Sequence, residues 1–405
     1  MSTLVEVVAP RRLGPSFRWL LASSWISNVG DGIALAAGPL LVASQTNDPF
    51  LVAMAVLLQR LPWLLFGLYA GALADRVNRQ AIVVLVDSAR AVVLVVLCTA
   101  IATDTVNIGV VLGAMFLLGT AETFADTTSS TLLPMVVEKD DLPIGNARLL
   151  AGFITTNQLA GPPIGAALFA AGAAWPFATQ AVLVLLGAVL ITRMAVPAME
   201  PRGETHMRHD IAEGFRWVWH HAAVRTLVLT IFFFNITYGA AWSVLVLYAT
   251  QRLDMGEVGF GLLTTVSAVG GLAGTASYGW LTRRVSLGNI MRVGLIIETF
   301  THLALALTTQ AWVAMAIFFV FGAHAFIWGT TSTSVRQRAV PTELQGRVGS
   351  VNMVGVFGSL VVGTALGGAI AQRWGVTAPF WFGFVGSAIF VVAIWHQLRH
   401  IAHDD

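Results

Sequence analysis

Residues 50–80 read FLVAMAVLLQRLPWLLFGLYAGALADRVNRQ, an apolar run of membrane-helix length that ends in a short charged loop. A helix needs about 20 mainly apolar residues to cross the hydrocarbon core of a bilayer. Residues 50–73 supply them with a single charge, Arg60. Because apolar runs and short loops alternate in this way along the whole chain, the sequence predicts a membrane protein with many helical spans.

The composition supports this prediction and excludes other classes. Of the 405 residues, 56% are hydrophobic and only 11% are charged, whereas soluble domains carry about 25% charged residues. This balance excludes a soluble enzyme, a disordered chain and a fibrous protein. The net charge of +2 does not favour nucleic acid as a partner. The single cysteine excludes an intrachain disulfide and a cysteine-based metal cluster, and the sequence predicts no metal site and no cofactor.

Apolar stretches of helical length predict twelve spans, which put both termini on the same side of the membrane. The connections on that side contain nineteen lysines and arginines, and those on the opposite side contain two. Since cytoplasmic loops are the basic ones, we expect both termini in the cytoplasm of a bacterial cell with the protein in its inner membrane. The predicted spans are 17–43, 50–73, 80–102, 107–126, 146–172, 177–195, 224–250, 258–281, 288–308, 311–333, 347–371 and 378–398.

The longest connection follows the sixth span and divides the chain into two halves. Within it, apolar residues recur at helical spacing at Ile211, Phe215, Val218 and Ala222, which predicts an amphipathic helix at the membrane interface. The predicted domains are an N-terminal six-helix bundle at 1–195, a cytoplasmic linker at 196–223 and a C-terminal six-helix bundle at 224–405.

Short matches between the halves indicate an internal repeat. Gly161-Pro-Pro-Ile-Gly165 in the fifth span aligns with Gly363-Thr-Ala-Leu-Gly367 in the eleventh. Gly71-Ala-Leu-Ala-Asp-Arg76 and Gly279-Trp-Leu-Thr-Arg-Arg284 each end the second span of their half. Parallel repeats of six helices are the plan of major facilitator transporters.

Two motifs carry a family resemblance. Gly71-Ala-Leu-Ala-Asp75-Arg76-Val-Asn78-Arg79-Gln80 resembles the loop motif G-x-x-x-D-R-x-G-R-R/K of the major facilitator superfamily, and Gly161-Pro162-Pro163-Ile-Gly165 resembles its antiporter motif G-P-x-x-G-G. The resemblance covers the whole chain and is closest to the drug:proton antiporter group, which includes macrolide and siderophore exporters. It implies an all-α membrane fold of 12 helices in two six-helix bundles related by pseudo-twofold symmetry.

The resemblance also implies a gate. In the family, the second arginine of the loop motif pairs with an acid at the cytoplasmic end of the fourth span, and Asp126 occupies that place here. We therefore expect an Arg79–Asp126 ion pair that holds the outward-facing state. The alternative is that the loop charges are solvated and only obey the positive-inside rule. The gate and motif residues are Gly71, Asp75, Arg76, Arg79 and Asp126.

The loop motif departs from the family pattern at two positions. Asn78 replaces a glycine, and we expect the tight turn to survive because asparagine tolerates a left-handed backbone better than most residues. Gln80 replaces a base, which weakens the charge network of the loop.

The fifth span contains a predicted hinge at Gly161, Pro162, Pro163 and Gly165. Proline removes a backbone donor and clashes with the preceding turn, while glycine lets a neighbouring helix pack closely. The same residues therefore suit both a kink used in alternating access and close helix packing.

Charged residues inside the spans are the candidates for proton coupling, because a charge near the bilayer centre costs about 2.5–3.5 kcal/mol. Asp31 shares a polar stripe with Asn28 and lies about 20 Å from the start of its span. Arg60 lies at a similar depth on the next span, so we expect an Asp31–Arg60 pair. Asp31 serves either as a proton or substrate site or as a static partner of Arg60, and both roles stay open. Glu122 is the second candidate, with the gate network as its alternative role.

Three further polar groups lie inside spans. Asp87 and Arg90 are three residues apart and are expected to form a local ion pair. Glu298 and His302 are four residues apart, which predicts a hydrogen-bonded pair, with a proton relay as the alternative. His324 either lines a cavity or is a satisfied interior histidine.

For substrate contact we favour residues on polar and aromatic stripes of the spans; packing in the core or against lipid is the alternative for these aromatic side chains. A cavity of aromatic residues with few charges suits hydrophobic or amphipathic compounds. The candidate residues are Asn28, Asn157, Gln158, Asn235, Tyr238, Trp242 and Trp328.

The sequence as a whole predicts a monomeric secondary active transporter that exports hydrophobic or amphipathic, drug-like small molecules by alternating access in exchange for protons. Its expected partners are the substrate, protons and the lipid bilayer. A carrier of a defined endogenous product, such as a siderophore or a lysolipid, is the alternative. A membrane enzyme is not favoured because the spans contain no nucleophile–base constellation, and a non-transporting receptor remains a third possibility. Since the chain has no ATP-binding loop of the G-x-x-x-x-G-K-[ST] type, energy comes from a gradient or from the substrate.

Overall fold

The computed structural model describes residues 10–74, 76–196 and 207–399, and every regular element in these ranges is helical. We number the membrane helices α1 to α12. In the first half they are α1 (Gly14–Gln45), α2 (Pro49–Ala74), α3 (Arg79–Ala102), α4 (Ile108–Ser129), α5a (Leu142–Gly152), α5b (Gly161–Ala171) and α6 (Trp175–Ile191). In the second half they are α7 (Ala222–Trp242), α8 (Glu257–Leu281), α9 (Leu287–Leu307), α10 (Ala311–Ala339), α11 (Gln345–Trp374) and α12 (Ala378–Ile394).

Shorter helical elements connect them. A π-helix, Phe153–Ala160, joins α5a to α5b, and a linker helix, Met207–His220, precedes α7. The remaining elements are short helices at Leu133–Val136 and Leu245–Leu247, a π-helix at Tyr248–Arg252, and 3-10 turns at Arg11–Leu13, Lys139–Asp141, Thr342–Leu344 and Gln397–Arg399.

The helices agree with the predicted spans. Within the described ranges, nine helices are long and apolar enough to cross a membrane, while α6 and α12 are shorter apolar helices. Together with the interrupted fifth helix they account for the twelve predicted spans and confirm the all-α prediction. The seventh predicted span is interrupted: α7 ends at Trp242, and helical structure resumes at Leu245 and continues to Arg252. The composition gave no sign of this break because the apolar run continues beyond Trp242.

The described chain forms two compact units. Apart from the undescribed residues, the first unit comprises the chain up to Gln45, residues 65–205 and residues 260–265, and the second comprises the remainder. The predicted domain boundaries at 195 and 223 stay a prediction.

The internal repeat is visible in the helix neighbours. In the first unit α1 packs against α5b and α6, and α3 packs against α4 and α6. In the second unit α7 packs against α11 and α12, and α9 packs against α10 and α12. Corresponding helices of the two halves therefore have corresponding neighbours.

The glycines that align in the sequence repeat make the same contact in both units. A Cβ atom built on Gly161 would lie 2.4 Å from the Cα of Gly32 in α1, and one built on Gly363 would lie 2.3 Å from the carbonyl oxygen of Ile236 in α7. Both distances are too short for a side chain. In each unit the fifth helix therefore touches the first helix backbone to backbone, and only glycine permits that approach.

The linker helix confirms that a helix is present in the predicted segment, although it ends at His220 and Ala222 belongs to α7. Its location at the membrane interface stays a prediction. Its Val218 is buried in an apolar cluster with Val348 of α11, and Glu213 forms a 2.8 Å ion pair with Arg347. Phe215, predicted on the same apolar face, is 57% exposed. The helix therefore packs against the second unit on one side and presents an aromatic side chain on the other.

Candidate proton-coupling and substrate site

A buried ion network lies inside the first unit. The guanidinium of Arg90 on α3 forms ion pairs with Asp31 of α1 and, at 3.3 Å, with Asp87 one turn earlier on its own helix. The Asp87–Arg90 pair confirms the prediction. The side chains of Arg90 and Asp87 are 4% and 6% exposed, and that of Asp31 is 17% exposed. Arg90 thus links two carboxylates of neighbouring helices within the unit.

Asp31 thus has a partner that spacing and depth did not predict, and the expected Asp31–Arg60 pair, which would join the two units, stays a prediction. Asp31 is ion-paired with Arg90, whereas Arg60 belongs to the second unit, where it interacts electrostatically with Tyr238. The depth of two residues in their spans matched, but depth does not fix the direction in which each side chain leaves its helix.

Gln180 of α6 adds a third helix to the network. Its amide nitrogen lies 3.4 Å from Oδ1 of Asp31, and the residue is buried at 3% exposure. Sequence reasoning missed Gln180, although a lone glutamine in an otherwise apolar helix was a usable signal.

Two acids of α4 extend the electrostatic network. Glu122 and Asp126 both interact electrostatically with Arg90, as do Asp31 and Asp87. Asp126 is exposed at the molecular surface, whereas Glu122 is half-buried. Four carboxyl groups of one unit therefore share the field of a single guanidinium.

The predicted hinge is a π-helix followed by two prolines. The Gly161 N–H bonds to the carbonyl oxygen of Thr156, five residues earlier. Because Pro163 has no backbone N–H, it cannot donate to the carbonyl oxygen of Leu159. The hydroxyl of Thr265 in α8 donates to that oxygen instead, at 3.2 Å. The wider π-turn relieves the clash between each proline ring and the turn before it. The break in regular helix thus precedes the prolines, and Gly161, Pro162, Pro163 and Gly165 themselves begin α5b.

The π-helix carries two of the candidate substrate residues. Asn157 is buried at 7% exposure, and its Oδ1 accepts a 2.6 Å hydrogen bond from Gln158, which is half-buried. A Cβ atom built on Gly32 would lie 2.5 Å from the carbonyl oxygen of Asn157. The backbone of Asn157 therefore lies where the π-helix crosses α1, next to Gly32, the residue that follows Asp31.

The gate motif is described in part. Asp75 lies outside the described residues, and Arg76 is exposed. Gly71 lies near the end of α2, with the methyl group of Thr127 3.9 Å from a Cβ built on it. Arg79 donates to the carbonyl oxygen of Thr131, just after α4, at 3.3 Å. Arg79 thus reaches the end of α4, and its predicted pairing with Asp126 stays a prediction.

The two departures from the motif have structural roles. Asn78 does not adopt a left-handed backbone (φ is −57°); instead its side chain caps α3 by accepting from the N–H of Ala81. The left-handed backbone is therefore absent and Asn78 caps the helix instead. The chain still turns just before it, where the N–H groups of Arg76 and Val77 donate to the carbonyl oxygen of Leu73. The amide of Gln80 donates to the carbonyl oxygens of Ile191 (2.6 Å) and Met194 (3.2 Å), which satisfies the end of α6.

In the second unit the structure brings together Tyr238 and Trp242, two of the candidate substrate residues, which we call the aromatic stripe. The rings of Tyr238 and Trp242 stack at 4.5 Å, and Phe321 of α10 lies 4.7 Å from Trp242. Both stripe residues are half-buried. Their contact with substrate stays a prediction.

The other candidate substrate residues are turned towards their own helices or the core. The amides of Asn28 and Asn235 donate to carbonyl oxygens one turn earlier, at 2.8 and 2.7 Å. Trp328 packs against a core cluster that includes Phe234 and Leu295. The contact of these three side chains with substrate stays a prediction.

The predicted Glu298–His302 pair is wrong. Oε2 of Glu298 lies 3.4 Å from Nε2 of His324 on α10, while neither nitrogen of His302 has a hydrogen-bond partner among the described residues. Spacing on one helix could not reveal this pair because the partner is on another helix.

Membrane helices in two repeated sets, with ionisable groups buried inside each, define a membrane transport protein of the major facilitator superfamily. The sequence profile of the family described as "Transmembrane secretion effector" matches residues 7–404, and the chain belongs to that family. Family and fold are those of transporters.

Named relatives and solved structures agree with this assignment. The multidrug efflux pump Tap of Mycolicibacterium fortuitum is 26% identical, over 89% of this chain and 90% of the relative. The enterobactin exporter EntS of Salmonella typhimurium is 24% identical, over 95% and 93%. A bacterial homologue of the iron transporter ferroportin has a TM-score of 0.75 at 16% identity, over 95% of this chain and 99% of that one. The nucleoside transporter NupG has a TM-score of 0.73 at 11% identity, over 97% and 100%. At these identities the solved structures establish the fold.

Proposed function

We propose that the protein exports hydrophobic or amphipathic, drug-like small molecules across the cytoplasmic membrane by alternating access, in exchange for protons. The family, the efflux-pump relative and the aromatic stripe support the export of such compounds. The observation that carries the proton part is the network around Arg90, whose guanidinium forms ion pairs with two largely buried carboxylates, Asp31 and Asp87.

The charge balance of this network favours proton binding. Ionised carboxylates are disfavoured in a poorly solvated site unless a positive charge compensates each of them. Asp31 and Asp87 carry two negative charges against the one positive charge of Arg90. A bound proton therefore neutralises the excess charge, and the proton occupancy changes when the site opens to water. Asp31 is the central residue, since it contacts Arg90 and Gln180 from a helix that directly touches the hinge.

Asp31 is coupled to the hinge because it lies beside the crossing of α1 and α5b. Gly32, the next residue, contacts the backbone of Gly161 at the start of α5b. A change in the π-helix therefore shifts α1 and with it the Asp31 carboxylate relative to Arg90. Glu122 acts as the further proton acceptor of the same unit, Asp126 acts as the gate partner of Arg79, and Arg60 contributes a positive charge to the second unit.

The experiment compares proton-driven export with substrate exchange in vesicles that contain purified protein. Asp31→Asn is expected to abolish export driven by a pH gradient and to retain exchange of labelled against unlabelled substrate, because asparagine keeps a polar contact with Arg90 but binds no proton. Glu257→Gln is the matched control, since that carboxylate is exposed in the first turn of α8. Undiminished gradient-driven export by Asp31→Asn would overturn the role of Asp31, and equal rates with and without a gradient in the wild type would overturn proton exchange.

Orientation and assembly belong to the same proposal. Both termini face the cytoplasm, as the distribution of basic residues predicts, and the protein works as a monomer. Labelling with an impermeant thiol reagent tests the orientation after Cys98 is replaced by alanine and a cysteine is introduced at the exposed loop residue Arg76.

A defined endogenous product is the second candidate substrate, and the enterobactin exporter among the relatives favours it. Transport of a panel of lipophilic drugs by the purified protein separates the two. Export of several unrelated drugs supports the first candidate, whereas transport restricted to one catecholate siderophore supports the second.

A further inference from the structure

A second group of ionisable side chains lies in the second unit, apart from the network around Arg90. Glu298 of α9 and His324 of α10 approach within 3.4 Å, and their side chains are 14% and 3% exposed. His302, one turn after Glu298, is fully buried. The export mechanism described above uses none of these three residues.

The imidazoles are enclosed and incompletely bonded. Neither nitrogen of His324 makes a hydrogen bond among the described residues, although Nε2 is at ion-pair distance from Glu298. A Cβ atom built on Gly294 would lie 3.1 Å from Nδ1 of His324, and one built on Gly383 would lie 2.9 Å from Nδ1 of His302. The two rings therefore rest against helix backbone, where a buried polar atom without a partner costs about 1–3 kcal/mol. A proton shared by Glu298 and His324 would turn their contact into a charge-assisted hydrogen bond.

Few other charges face this pair. The helix α12, which packs against α9, carries no ionisable residue. From α7 comes Tyr238, which interacts electrostatically with Glu298 and with Arg60 of α2. The remaining ionisable residues of the surrounding helices lie towards their ends: Arg225 on α7, Glu257 and Tyr278 on α8, Arg292 on α9, and Arg336 and Arg338 on α10; His396 follows α12.

The aromatic stripe, which is the predicted substrate face, is connected to the pair by Phe321. Phe321 lies 5.9 Å from the ring of His324 and 4.7 Å from that of Trp242, and Trp242 stacks with Tyr238. Aromatic faces attract organic cations. A carboxylate at the end of the same row of rings adds attraction for a cation, and a proton on the pair removes it.

We propose that Glu298 and His324 together bind one exchangeable proton, and that a lipophilic organic cation on the Tyr238–Trp242 face displaces it. The inference rests on the proposed export function and names the substrate class of that face. With one proton the pair is neutral, and without it the pair carries one negative charge. Binding of the cation therefore favours loss of the proton, and the proton weakens binding of the cation by the same factor.

The experiment measures binding and proton release at equilibrium, without a membrane gradient. Tetraphenylphosphonium is added to purified wild-type protein in detergent and weak buffer with a pH-indicator dye, and its affinity is measured at about pH 5 and about pH 8. We expect proton release on binding and an affinity about tenfold lower at the acid pH. Uncharged triphenylphosphine oxide is expected to release no protons.

The variants assign the effect to the pair. Glu298→Gln is expected to reduce both the proton release and the pH dependence of affinity, and His324→Asn is expected to do the same, while Glu257→Gln behaves as the wild type. Thermal unfolding checks that each variant is folded, and His324→Asn provides the result if Glu298→Gln does not fold. Proton release unchanged in the folded variants, or no binding of tetraphenylphosphonium to the wild type, would overturn the inference.

The outcome is separable from that of the proposed function. If the wild type shows no proton-driven export in vesicles but releases a proton in detergent through Glu298, the proton exchange fails and this site stands. If export is proton-driven and Glu298→Gln changes neither release nor affinity, the site fails and the export proposal stands.

Discussion

Replacing Gly161 with alanine would place a methyl group at the crossing of α1 and α5b. The new Cβ atom would lie 2.4 Å from the Cα and 2.5 Å from the carbonyl carbon of Gly32, whereas ordinary contacts of this kind are 3.4–4 Å. Both neighbouring atoms are backbone and cannot rotate away, so the two helices must separate by about 1 Å. Overpacking of this kind costs about 1–3 kcal/mol.

The free energy of unfolding is therefore expected to fall by about 1–3 kcal/mol, which a denaturation curve of the purified protein in detergent measures. Reaction of a thiol-sensitive dye with Cys98, the single cysteine, reports unfolding. Gly113→Ala on α4 is the matched control, because a Cβ there meets nothing within 4 Å. There alanine is expected to be neutral or to stabilise its helix by about 0.5–1 kcal/mol. Equal stability of Gly161→Ala and the wild type would refute the close crossing.

The same unfolding assay tests three further contacts. Gln80→Ala removes two hydrogen bonds to the end of α6 and is expected to cost about 1–3 kcal/mol, since buried carbonyls lose their donor; full stability would contradict the cap. Thr265→Val leaves the carbonyl oxygen of Leu159 without a donor and is expected to lower the free energy of unfolding by about 1 kcal/mol or more. Thr99→Val, on the exposed surface of α3, is the control and is expected to change this free energy little. Glu213→Gln and Arg347→Gln, alone and together, are expected to show a coupling of about 0.2–1 kcal/mol because the pair is about one third exposed; a larger value would mean that the pair is more strongly desolvated.

The fold could be predicted because its signals are local. Apolar runs set the helices, charged loops set their ends, and the repeat of Gly161 and Gly363 anticipated the same helix crossing in both units. The prolines predicted a break in the fifth helix, but they did not predict that the break lies before them. A proline ring disturbs the carbonyl four residues earlier, so the π-helix precedes Pro162 and Pro163.

The candidate site could be predicted only residue by residue. Asp31 stands out because burying an acid in a span is costly, but its contact with Arg90 depends on the direction in which each side chain leaves its helix. For the same reason the spacing of Glu298 on its own helix could not reveal His324 on the next one. Pairings between helices need the rotation of each helix about its axis, and a single sequence carries no measure of it.

A last prediction compares the two units, which share the glycine crossing but differ in the side chains beside it. Gly363→Ala inserts a methyl group 2.3 Å from the carbonyl oxygen of Ile236, so it is expected to destabilise the protein as Gly161→Ala does. The functional effects should differ, because Gly161 faces the residue next to Asp31, whereas Gly363 faces α7 two residues before Tyr238.

Vesicle transport at several substrate concentrations measures this difference. Gly161→Ala is expected to lower gradient-driven export relative to substrate exchange, since it displaces Asp31 from Arg90. Gly363→Ala is expected mainly to raise the KM for an aromatic substrate, since it displaces the Tyr238–Trp242 face. If both variants changed the same parameter to the same extent, the contributions of the Arg90 network and of the Tyr238–Trp242 face would not be divided between the units. The backbone contact is common to both halves, so any such division must come from the side chains beside it: carboxylates around one arginine in one unit, and aromatic rings leading to Glu298 in the other.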